Sequence, residues 1–401
     1  MARGTEVAWL HADQEPALRE DKGQADGIRH LRIPLRFFPQ RREQSWQIEP
    51  LGLEGLRNAI EEVRPDFVHF HGFGRSQSPE HFTLAKNAGA RVLMTYHAPG
   101  QSCARWDLLY KGGEMCSGLI DVQRCCDCAL HRAGLPAPLR WVLAGTDCSA
   151  LAHILPYGAQ HAFVRRRGML DYQQRWNRGM AIPDRILWHA GWVRDLLMRN
   201  GVPEDRLQHL SLPPPRSPLP DSKRSATGRR TRRFLYLGRL IDIKGVHILI
   251  QAVRMLPRTE PIEVHIFGAK GPEEYLRKIT ALCEADPRVH LEAPVDAAQV
   301  PELLAGADAV IVPSLWPETG PYTVLEALWA GTPVVGSQRG GIEELIQRWG
   351  GGVLFEPGNA RDLARILLGS DLGSLRRDPS VFRETWNAAF RCELDQICDR
   401  D

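Results

Sequence analysis

The sequence lacks an apolar stretch long enough to cross a bilayer, and it lacks a strong excess of either charge. Residues 1–30 are polar and charged, which argues against a signal peptide. A formal net charge of +3 over 401 residues implies no strong attraction to nucleic acids or other polyanions. These absences predict a soluble, cytoplasmic protein that does not bind nucleic acid.

Two arginine-dense stretches stand out against this weak overall charge. They lie at residues 165–167 and 229–233. Solvated surface or linker is the simpler interpretation of both. The alternative is a peripheral contact with anionic lipid at the inner membrane surface.

The nine cysteines predict reduced thiols or a metal site, because a cytoplasmic protein seldom keeps disulfides. Cys103, Cys116, Cys125 and Cys128 follow the spacing C-x12-C-x8-C-x2-C, with Cys126 beside them. Four thiolates at this spacing could hold a structural zinc, and plain reduced cysteines in a loop are the open alternative. The surrounding segment has little periodicity, so we expect a loop that a metal would order. The sequence shows no group of histidines that could bind a metal and leave one coordination position open, so it does not suggest a catalytic metal.

Strand-like and helix-like segments alternate strictly between residues 231 and 377. This alternation predicts an α/β fold with a mostly parallel sheet covered on both faces. The predicted strands are 233–237, 262–267, 289–292, 309–313, 334–335 and 352–355. The predicted helices are 245–256, 273–284, 300–304, 322–330, 341–347 and 360–368, with a final long helix at 378–398.

The first half alternates less regularly and predicts a second α/β domain. Its predicted strands are 7–10, 31–35, 67–70, 92–96 and 186–188. Its predicted helices are 53–63, 80–87, one within 159–176, and 191–199. Residues 213–230 are rich in Pro, Ser and Arg, which predicts a linker between the two halves.

Two carboxylates lie eight positions apart next to the strand at 309–313. Glu318 lies on the loop after this strand and Glu326 on the first turns of the next helix, with Gly320 and Pro321 between them. Nucleotides bind at this edge of open α/β sheets, where a helix N-terminus offers N–H groups to a phosphate. The alternative is a pair of ordinary surface carboxylates.

Two cations are predicted at the same edge of the sheet. Gly238 and Arg239 follow the strand at 233–237, and Lys244 and Gly245 precede the next helix. A diphosphate needs such neutralisation where no acidic metal cluster is evident. Either cation alone could serve a surface ion pair. Both together with the two carboxylates predict a diphosphate site.

These motifs resemble those of family-4 glycosyltransferases, which are retaining, nucleotide-sugar-dependent enzymes of the GT-B fold. The resemblance rests on the two cation motifs, the two glutamates, Gly331-Thr332-Pro333-Val334-Val335 and Gly340-Gly341-Ile342-Glu343-Glu344-Leu345. It covers residues 233–368 closely and most of the first half loosely. It implies two Rossmann-like domains that face each other across a cleft, with a C-terminal helix returning toward the first domain.

The resemblance also implies a division of the chain. Residues 1–212 would form the acceptor-side domain, with a cysteine-rich insertion at about 100–135. Residues 213–230 would be the linker and 231–377 the nucleotide-sugar-binding domain. Residues 378–401 would form the C-terminal helix.

The resemblance assigns roles to particular residues. Arg239 and Lys244 would bind the donor diphosphate, with Gly238 allowing its close approach. Glu318 would contact the hydroxyls of the transferred sugar and Glu326 the ribose. Gly320 and Pro321 would bring backbone N–H groups to sugar or phosphate. The donor would be a UDP- or GDP-linked sugar, the acceptor a polysaccharide, lipid-linked or small molecule, and catalysis would need no metal.

Histidines follow two strands of the first half. His97, after the strand at 92–96, would bind the sugar or assist deprotonation of the acceptor, and a structural role is the alternative. His71 could line the same cleft. A structural role explains His69 best.

The sequence departs from the family pattern in two places. The family normally begins with a strand, a Gly-rich turn and a helix, and this chain opens on the segment that resembles the second strand. Residues 213–215 are prolines where relatives usually carry a glycine-containing turn. A truncated nucleotide-binding remnant without activity, or another GT-B enzyme such as a sugar-nucleotide epimerase, therefore stay as alternatives.

Overall fold

The computed structural model describes residues 7–13, 23–25, 28–34, 52–74, 77–215, 231–268 and 271–398. The contacts divide the chain into two compact units. One comprises Met1–Trp188 with Arg194–Gln208, and the other comprises His189–Val193 with His209–Asp401. Most of the predicted linker, residues 216–230, lies outside the described residues.

The first unit contains helices and short strands in separate sheets. Its strands are β1 (Ala8–Asp13), β2 (Gly23–Ala25), β3 (Ile28–Pro34), β4 (Phe67–Phe70), β5 (Arg91–Thr95), β6 (Leu109–Tyr110), β7 (Glu114–Met115) and β8 (Arg185–Trp188). A further strand, β9 (Leu207–His209), ends at the first residue of the second unit's main segment. The helices are α1 (Leu53–Val63), α2 (Pro79–Asn87), α3 (Val122–Arg132), α4 (Ala137–Gly145), α5 (Tyr157–Phe163) and α6 (Arg165–Ala181). Helix α7 (Gly191–Arg199) begins in the segment His189–Val193, which belongs to the second unit, and its remaining residues belong to the first.

Two sheets account for most of these strands. One sheet has the order β4-β5-β8-β9, and its first three strands are parallel. The other has the order β1-β3-β2, with β1 parallel and β2 antiparallel to β3. Parallel strands end at the same edge, so the residues that follow β4 and β5 are neighbours.

The prediction that the cysteine-rich segment is a loop that a metal would order is wrong in that the segment has regular secondary structure. The segment contains the hairpin of β6 and β7 and the helix α3, which begins where the side chain of Asp121 accepts the N–H of Arg124. Cys126 and Leu130 lie one helical turn apart and pack with Leu143 and Met169 into a buried cluster. A reduced cysteine packs as a small hydrophobic residue. Cys126 therefore belongs to the apolar stripe of α3, and the helix was missed because cysteine was not counted as hydrophobic.

The second unit is a six-stranded parallel sheet. Its strands are β10 (Arg232–Leu237), β11 (Ile262–Phe267), β12 (Val289–Glu292), β13 (Ala309–Val312), β14 (Val334–Ser337) and β15 (Gly352–Phe355). Its helices are α8 (Val246–Met255), α9 (Glu273–Glu284), α10 (Val300–Gly306), α11 (Tyr322–Trp329), α12 (Gly340–Trp349), α13 (Ala360–Gly369) and α14 (Pro379–Cys398). The predicted α/β fold with parallel sheets in two domains is confirmed.

The strand order creates a switch point inside this sheet. The order is β12-β11-β10-β13-β14-β15, with all neighbours parallel. The chain builds outward from β10 to one edge and then returns to place β13 on the other side of β10. The connections after β10 and β13 therefore diverge to opposite faces, which leaves a crevice at the carboxyl ends of these two strands.

Apolar clusters cover both faces of the sheet, as expected for strands buried on two sides. One cluster joins the sheet to α8 and α13, and the other joins it to α11, α12 and α14. Within α14, Trp386 donates its indole N–H to the carbonyl of Leu212, and Glu393 accepts the N–H of Ser211. The C-terminal helix thus packs on the residues that directly follow β9. No helix in the described ranges is long and apolar enough for a membrane crossing.

Candidate functional site

The loops after β10 and β13 pack directly against each other at the switch point. The N–H of Leu315 donates to the carbonyl of Ile243 at 2.8 Å. Gly245 has a φ of 71°, and a Cβ on it would lie 1.9 Å from the carbonyl oxygen of Pro313. Only glycine allows this approach, and it brings the residue before it, Lys244, onto the loop that follows β13.

Lys244 and Glu318 form an ion pair at this place. The Nζ atom lies 2.7 Å from Oε1 of the carboxylate, which also accepts the hydroxyl of Ser314 at 2.6 Å and the indole N–H of Trp316 at 2.8 Å. The Lys244 ammonium lies 5.4 Å from the centre of the Trp316 ring. The glutamate side chain is only 8% exposed and the lysine 23%, so water screens the pair weakly.

The backbone of the Glu318 loop is held by α12. The carbonyl of Glu318 accepts the N–H of Gly341 at 2.8 Å and the indole N–H of Trp192 at 2.9 Å. A Cβ on Gly340, whose φ is 57°, would lie 2.9 Å from Cα of Pro317. The Gly-Gly pair of the predicted motif thus allows the start of α12 to approach the loop that carries Glu318.

Glu344, from the same motif, holds the segment His189–Val193. Its carboxylate accepts the backbone N–H groups of Gly191 at 2.6 Å and Trp192 at 3.2 Å. The motif therefore both packs against the Glu318 loop and anchors the indole that donates to it.

Arg239 lies in an exposed turn at the end of β10. The hydroxyl of the buried Tyr236 donates to the carbonyl of Arg239 at 2.8 Å and so shapes the turn from below. Burial raises the pKa of Tyr236, which keeps its hydroxyl neutral and able to donate. Within the described ranges the Arg239 guanidinium has no ion-pair partner, unlike Lys244. The structure therefore leaves one cation at this edge ready to bind an anion.

Glu326 lies on α11, one turn beyond Thr323. The Thr323 hydroxyl donates to the carbonyl of Leu237 at 3.4 Å, so this face of α11 is directed toward the end of β10. Burial raises the pKa of the Glu326 carboxyl to about 6. Among the described residues this carboxylate has neither a hydrogen-bond nor an ion-pair partner. Half-buried, unpaired carboxylates occur frequently at functional sites.

The prediction that Pro321 supplies a backbone N–H is wrong, because proline has none. The helix begins at Tyr322, so its first N–H groups are those of Tyr322 and Thr323. A Cβ on Gly320 would lie 2.6 Å from the side chain of Leu212. Gly320 and Pro321 line a pocket together with residues such as His189, Glu344 and Trp386, and neither Lys244 nor Glu326 lines it.

His97 lies in the first unit at the end of β5, beside His71 at the end of β4. His97 Nε2 lies 2.9 Å from His71 Nδ1, and the two rings stack with 14° between their planes. Desolvation lowers the pKa of His71 although part of its ring is exposed. His69 bonds through Nε2 to the hydroxyl of the buried Thr95 at 2.7 Å.

The four cysteines of the predicted zinc site lie in one region. Burial raises the pKa of Cys103, Cys125 and Cys128, that of Cys125 to about 12. Cys103 and Cys116 contribute electrostatically to the pKa of Cys125 and of Cys128. However, the described part of the chain contains no three His, Cys, Asp or Glu side chains arranged to hold a metal ion. The zinc site stays a prediction.

Three residues around Glu318 escaped the sequence-based prediction. Ser314 and Trp316 lie between the strand and the glutamate, so their place in the same loop was the available signal. Trp192 is 126 positions from Glu318 and had no signal in the sequence.

Comparison with known proteins finds sequence similarity over part of the second unit. Residues 221–368 match the family described as Glycosyl transferases group 1. The putative colanic acid biosynthesis glycosyltransferase WcaL of Salmonella typhimurium is 27% identical over 212 residues, which are 49% of this chain and 49% of that protein. The first curated relatives are matched over a third to a half of their own length.

Solved glycosyltransferases share the fold over nearly the whole chain. Sucrose-phosphate synthase from Thermosynechococcus elongatus superimposes with a TM-score of 0.63 at 17% identity, covering 98% of this chain and 88% of that one. Anabaena HepE, solved with UDP and glucose, gives 0.55 at 13% identity, covering 96% and 100%. The fold of this chain is thus that of GT-B glycosyltransferases, and its residues 221–368 are similar in sequence to glycosyl transferases of group 1.

Proposed function

We propose that this chain is a retaining, family-4 glycosyltransferase that moves a sugar from a nucleotide diphosphate to an acceptor hydroxyl. The observation that carries the proposal is the pair of Lys244 and Glu318 at the switch point of the second unit, with Nζ 2.7 Å from Oε1. Arg239 at the end of β10, which has no ion-pair partner among the residues that the structure describes, adds a second cation. The match of residues 221–368 and the likeness to HepE, which was solved with UDP and glucose, support the same interpretation.

The two cations would neutralise the donor diphosphate. In transfer with retention, the bond between the anomeric carbon and the diphosphate oxygen breaks, and its electron pair leaves with the nucleoside diphosphate. The acceptor oxygen then bonds to the anomeric carbon on the same face and loses its proton. Arg239 and Lys244 would stabilise the negative charge on the leaving group, which makes a metal unnecessary in this proposal.

Glu318 and Glu326 would bind the two ends of the donor. All three donors to Glu318 reach Oε1, and no described residue donates to Oε2. A carboxylate offers about four lone-pair sites, so Oε2 would accept sugar hydroxyls. Glu326 would accept the ribose hydroxyls, and Gly238, Gly320 and the N–H groups at the start of α11 would contact phosphate or sugar.

The acceptor would be a polysaccharide, a lipid-linked glycan or a small molecule. The name of the relative WcaL, which refers to colanic acid biosynthesis, supports the first of these. His97 would act on the acceptor side, where a neutral imidazole can take the hydroxyl proton. We place the reaction in the cytoplasm.

Binding and turnover measurements on the full chain test the proposal. UDP, GDP and the matching nucleosides are titrated by calorimetry, and nucleotide sugars are screened for hydrolysis and transfer. We expect Arg239→Ala to weaken the binding of the nucleoside diphosphate more than the binding of the nucleoside. The same variant should lower turnover by about 10²–10³-fold. Glu326→Ala should weaken the binding of the nucleoside and of the nucleoside diphosphate to the same extent. The exposed Arg361→Ala and Glu274→Ala are matched controls of the same unit.

Three outcomes would contradict the proposal in different ways. Equal nucleotide binding by Arg239→Ala, Glu326→Ala and the parent would remove the assigned site. Binding without hydrolysis or transfer of any donor would favour a non-catalytic remnant. Interconversion of free nucleotide sugars, followed by NMR, would identify an epimerase.

We further propose a structural zinc at Cys103, Cys116, Cys125 and Cys128. The electrostatic influence of Cys103 and Cys116 on Cys125 and Cys128 supports it. We expect about one zinc per chain by atomic spectroscopy, lost in Cys125→Ser with Cys128→Ser. Cys392→Ser, an exposed cysteine on α14, is the control. Metal-free protein with an unchanged melting temperature would contradict the proposal.

A further inference from the structure

Helix α4 is apolar on its outward face as well as on its inward face. Its single charged residue, Arg140, donates from Nε to Asp127 at 2.9 Å and from Nη1 to the carbonyl of Leu135 at 2.7 Å. Leu143 and Ala144 are buried in the helical core. A surface helix normally presents polar residues to water, and α4 does not. The side chains of Leu139, Trp141 and Val142 are instead 40%, 73% and 46% exposed.

A second exposed apolar element follows three residues later. The 3₁₀-helix Ser149–Ile154 leaves Leu151 50% and Ile154 80% exposed. Residues three apart in a 3₁₀-helix eclipse one another, so both side chains lie on one edge. This element and α4 both contact α6, so they belong to one helical layer. We call Leu139, Trp141, Val142, Leu151 and Ile154 the 139–154 surface.

The chain around this surface carries the net positive charge of the protein. Residues 131–168 contain five arginines and one acidic residue, Asp147, which leaves 46 basic and 47 acidic residues elsewhere. Arg132 is exposed, and the side chain of Arg167, 59% exposed, forms only a loose ion pair with Asp171 at 3.4 Å. An exposed apolar surface set among arginines is complementary to apolar chains beneath anionic headgroups.

We infer that the 139–154 surface docks on an anionic lipid bilayer, with Trp141 and Ile154 inserted below the headgroups. Tryptophan is the residue that this interfacial depth favours, and each basic residue near the surface adds attraction to anionic lipid. A second copy fits the surface poorly, since a symmetric contact would bring the exposed Arg132 and Arg167 of one copy toward the same arginines of the other. The inference does not depend on the proposed function.

Vesicle binding by the full chain tests the inference. Sedimentation is measured with vesicles of phosphatidylcholine alone and with vesicles in which about half of the lipid is the anionic phosphatidylglycerol. We expect binding to the anionic vesicles that is at least tenfold stronger than to neutral ones and that weakens with salt. Trp141→Ser with Ile154→Ser should reduce it about tenfold or more, and Arg167→Gln should reduce it less. Met255→Ser with Val381→Ser, similarly exposed on the second unit, should leave it unchanged.

Two controls keep this result distinct from misfolding and from the proposed catalysis. The variants must keep the parent's circular dichroism, melting temperature and UDP affinity. Equal vesicle binding by the Trp141/Ile154 variant and the parent would overturn the inference. So would a dimer of the parent, seen by analytical ultracentrifugation, that the same variant abolishes, because the surface would then be an interface between copies.

Discussion

The ammonium nitrogen of Lys244 lies 2.7 Å from Oε1 of Glu318, although 74 positions separate the two residues in the chain. The contact arises because β10 and β13 are neighbours in the sheet and the loops after them pack through Gly245. A cation and an acid are thus held together at the carboxyl edge of the sheet without any ligand. This arrangement is pre-organised, which reduces the cost of ordering both groups when an anion binds.

Substitution of Lys244 tests whether the pair acts as a unit. We expect Lys244→Met to lower the free energy of unfolding by about 1–3 kcal/mol, because the buried Glu318 loses its charged donor. Glu318→Gln should cost less, since an amide oxygen still accepts from Ser314 and Trp316. Urea unfolding of both single variants and the double variant measures the coupling. Strictly additive effects would show that the pair contributes no interaction energy.

Gly245 tests the approach of the two loops. We expect Gly245→Ala to destabilise the second unit by at least about 1–3 kcal/mol and to weaken diphosphate binding, because its Cβ would lie 1.9 Å from the carbonyl oxygen of Pro313. Gly306→Ala is the control, since a Cβ there meets no atom within 4 Å. Thermal unfolding and calorimetry of both variants measure the difference. An unaltered Gly245→Ala protein would mean that the loops separate freely.

Glu326 tests the trade between stability and binding. Its pKa rises from 4.5 to about 6 in the folded protein, so the folded state holds the proton more tightly than the unfolded state does. Stability therefore falls as the pH rises through this window, by about 2 kcal/mol in total. We expect Glu326→Gln to be more stable than the parent at pH 7.5 and equal to it near pH 4, as measured by denaturant unfolding. The same variant should bind the nucleoside more weakly.

For Glu326, a stability gain that does not change with pH would contradict the assigned cause. Glu274→Gln, at an exposed residue of the same unit, should show no such pH-dependent gain.

The histidine pair of the first unit tests a different pH range. A hydrogen bond between His71 and His97 needs one N–H and one lone pair, so double protonation of both rings breaks it. The pKa of His71 is lowered from 6.5, so the unfolded state binds more protons below about pH 6.5 and stability falls as the pH falls. We expect His71→Gln to lose part of this decline between pH 7.5 and 5.5. The exposed His131→Gln should keep the decline, and equal profiles for both variants would contradict the assignment.

Much of the second unit could be predicted from its sequence. The strands at 262–267, 289–292 and 352–355 and the helix at 273–284 are observed with the predicted bounds. Short-range patterns suffice there, because a strand buried on both faces is a short apolar run and each helix has an apolar stripe. The helix α3 in the cysteine-rich segment was missed because Cys126, which packs like a hydrophobic residue, was not counted as part of an apolar stripe.

The sequence by itself determined which residue types stand at strand ends, namely Arg239, Lys244, Glu318 and Glu326, and that these loops join strands of a parallel sheet. Only the tertiary structure decided that Lys244 pairs with Glu318 while Arg239 stays exposed, and that Trp192 and Glu344 hold the loop from distant positions. The physical reason is the separation along the chain over which each kind of interaction acts. Helix and strand periodicity arises from neighbours in the chain, whereas ion pairs and indole contacts depend on which loops the strand order brings together.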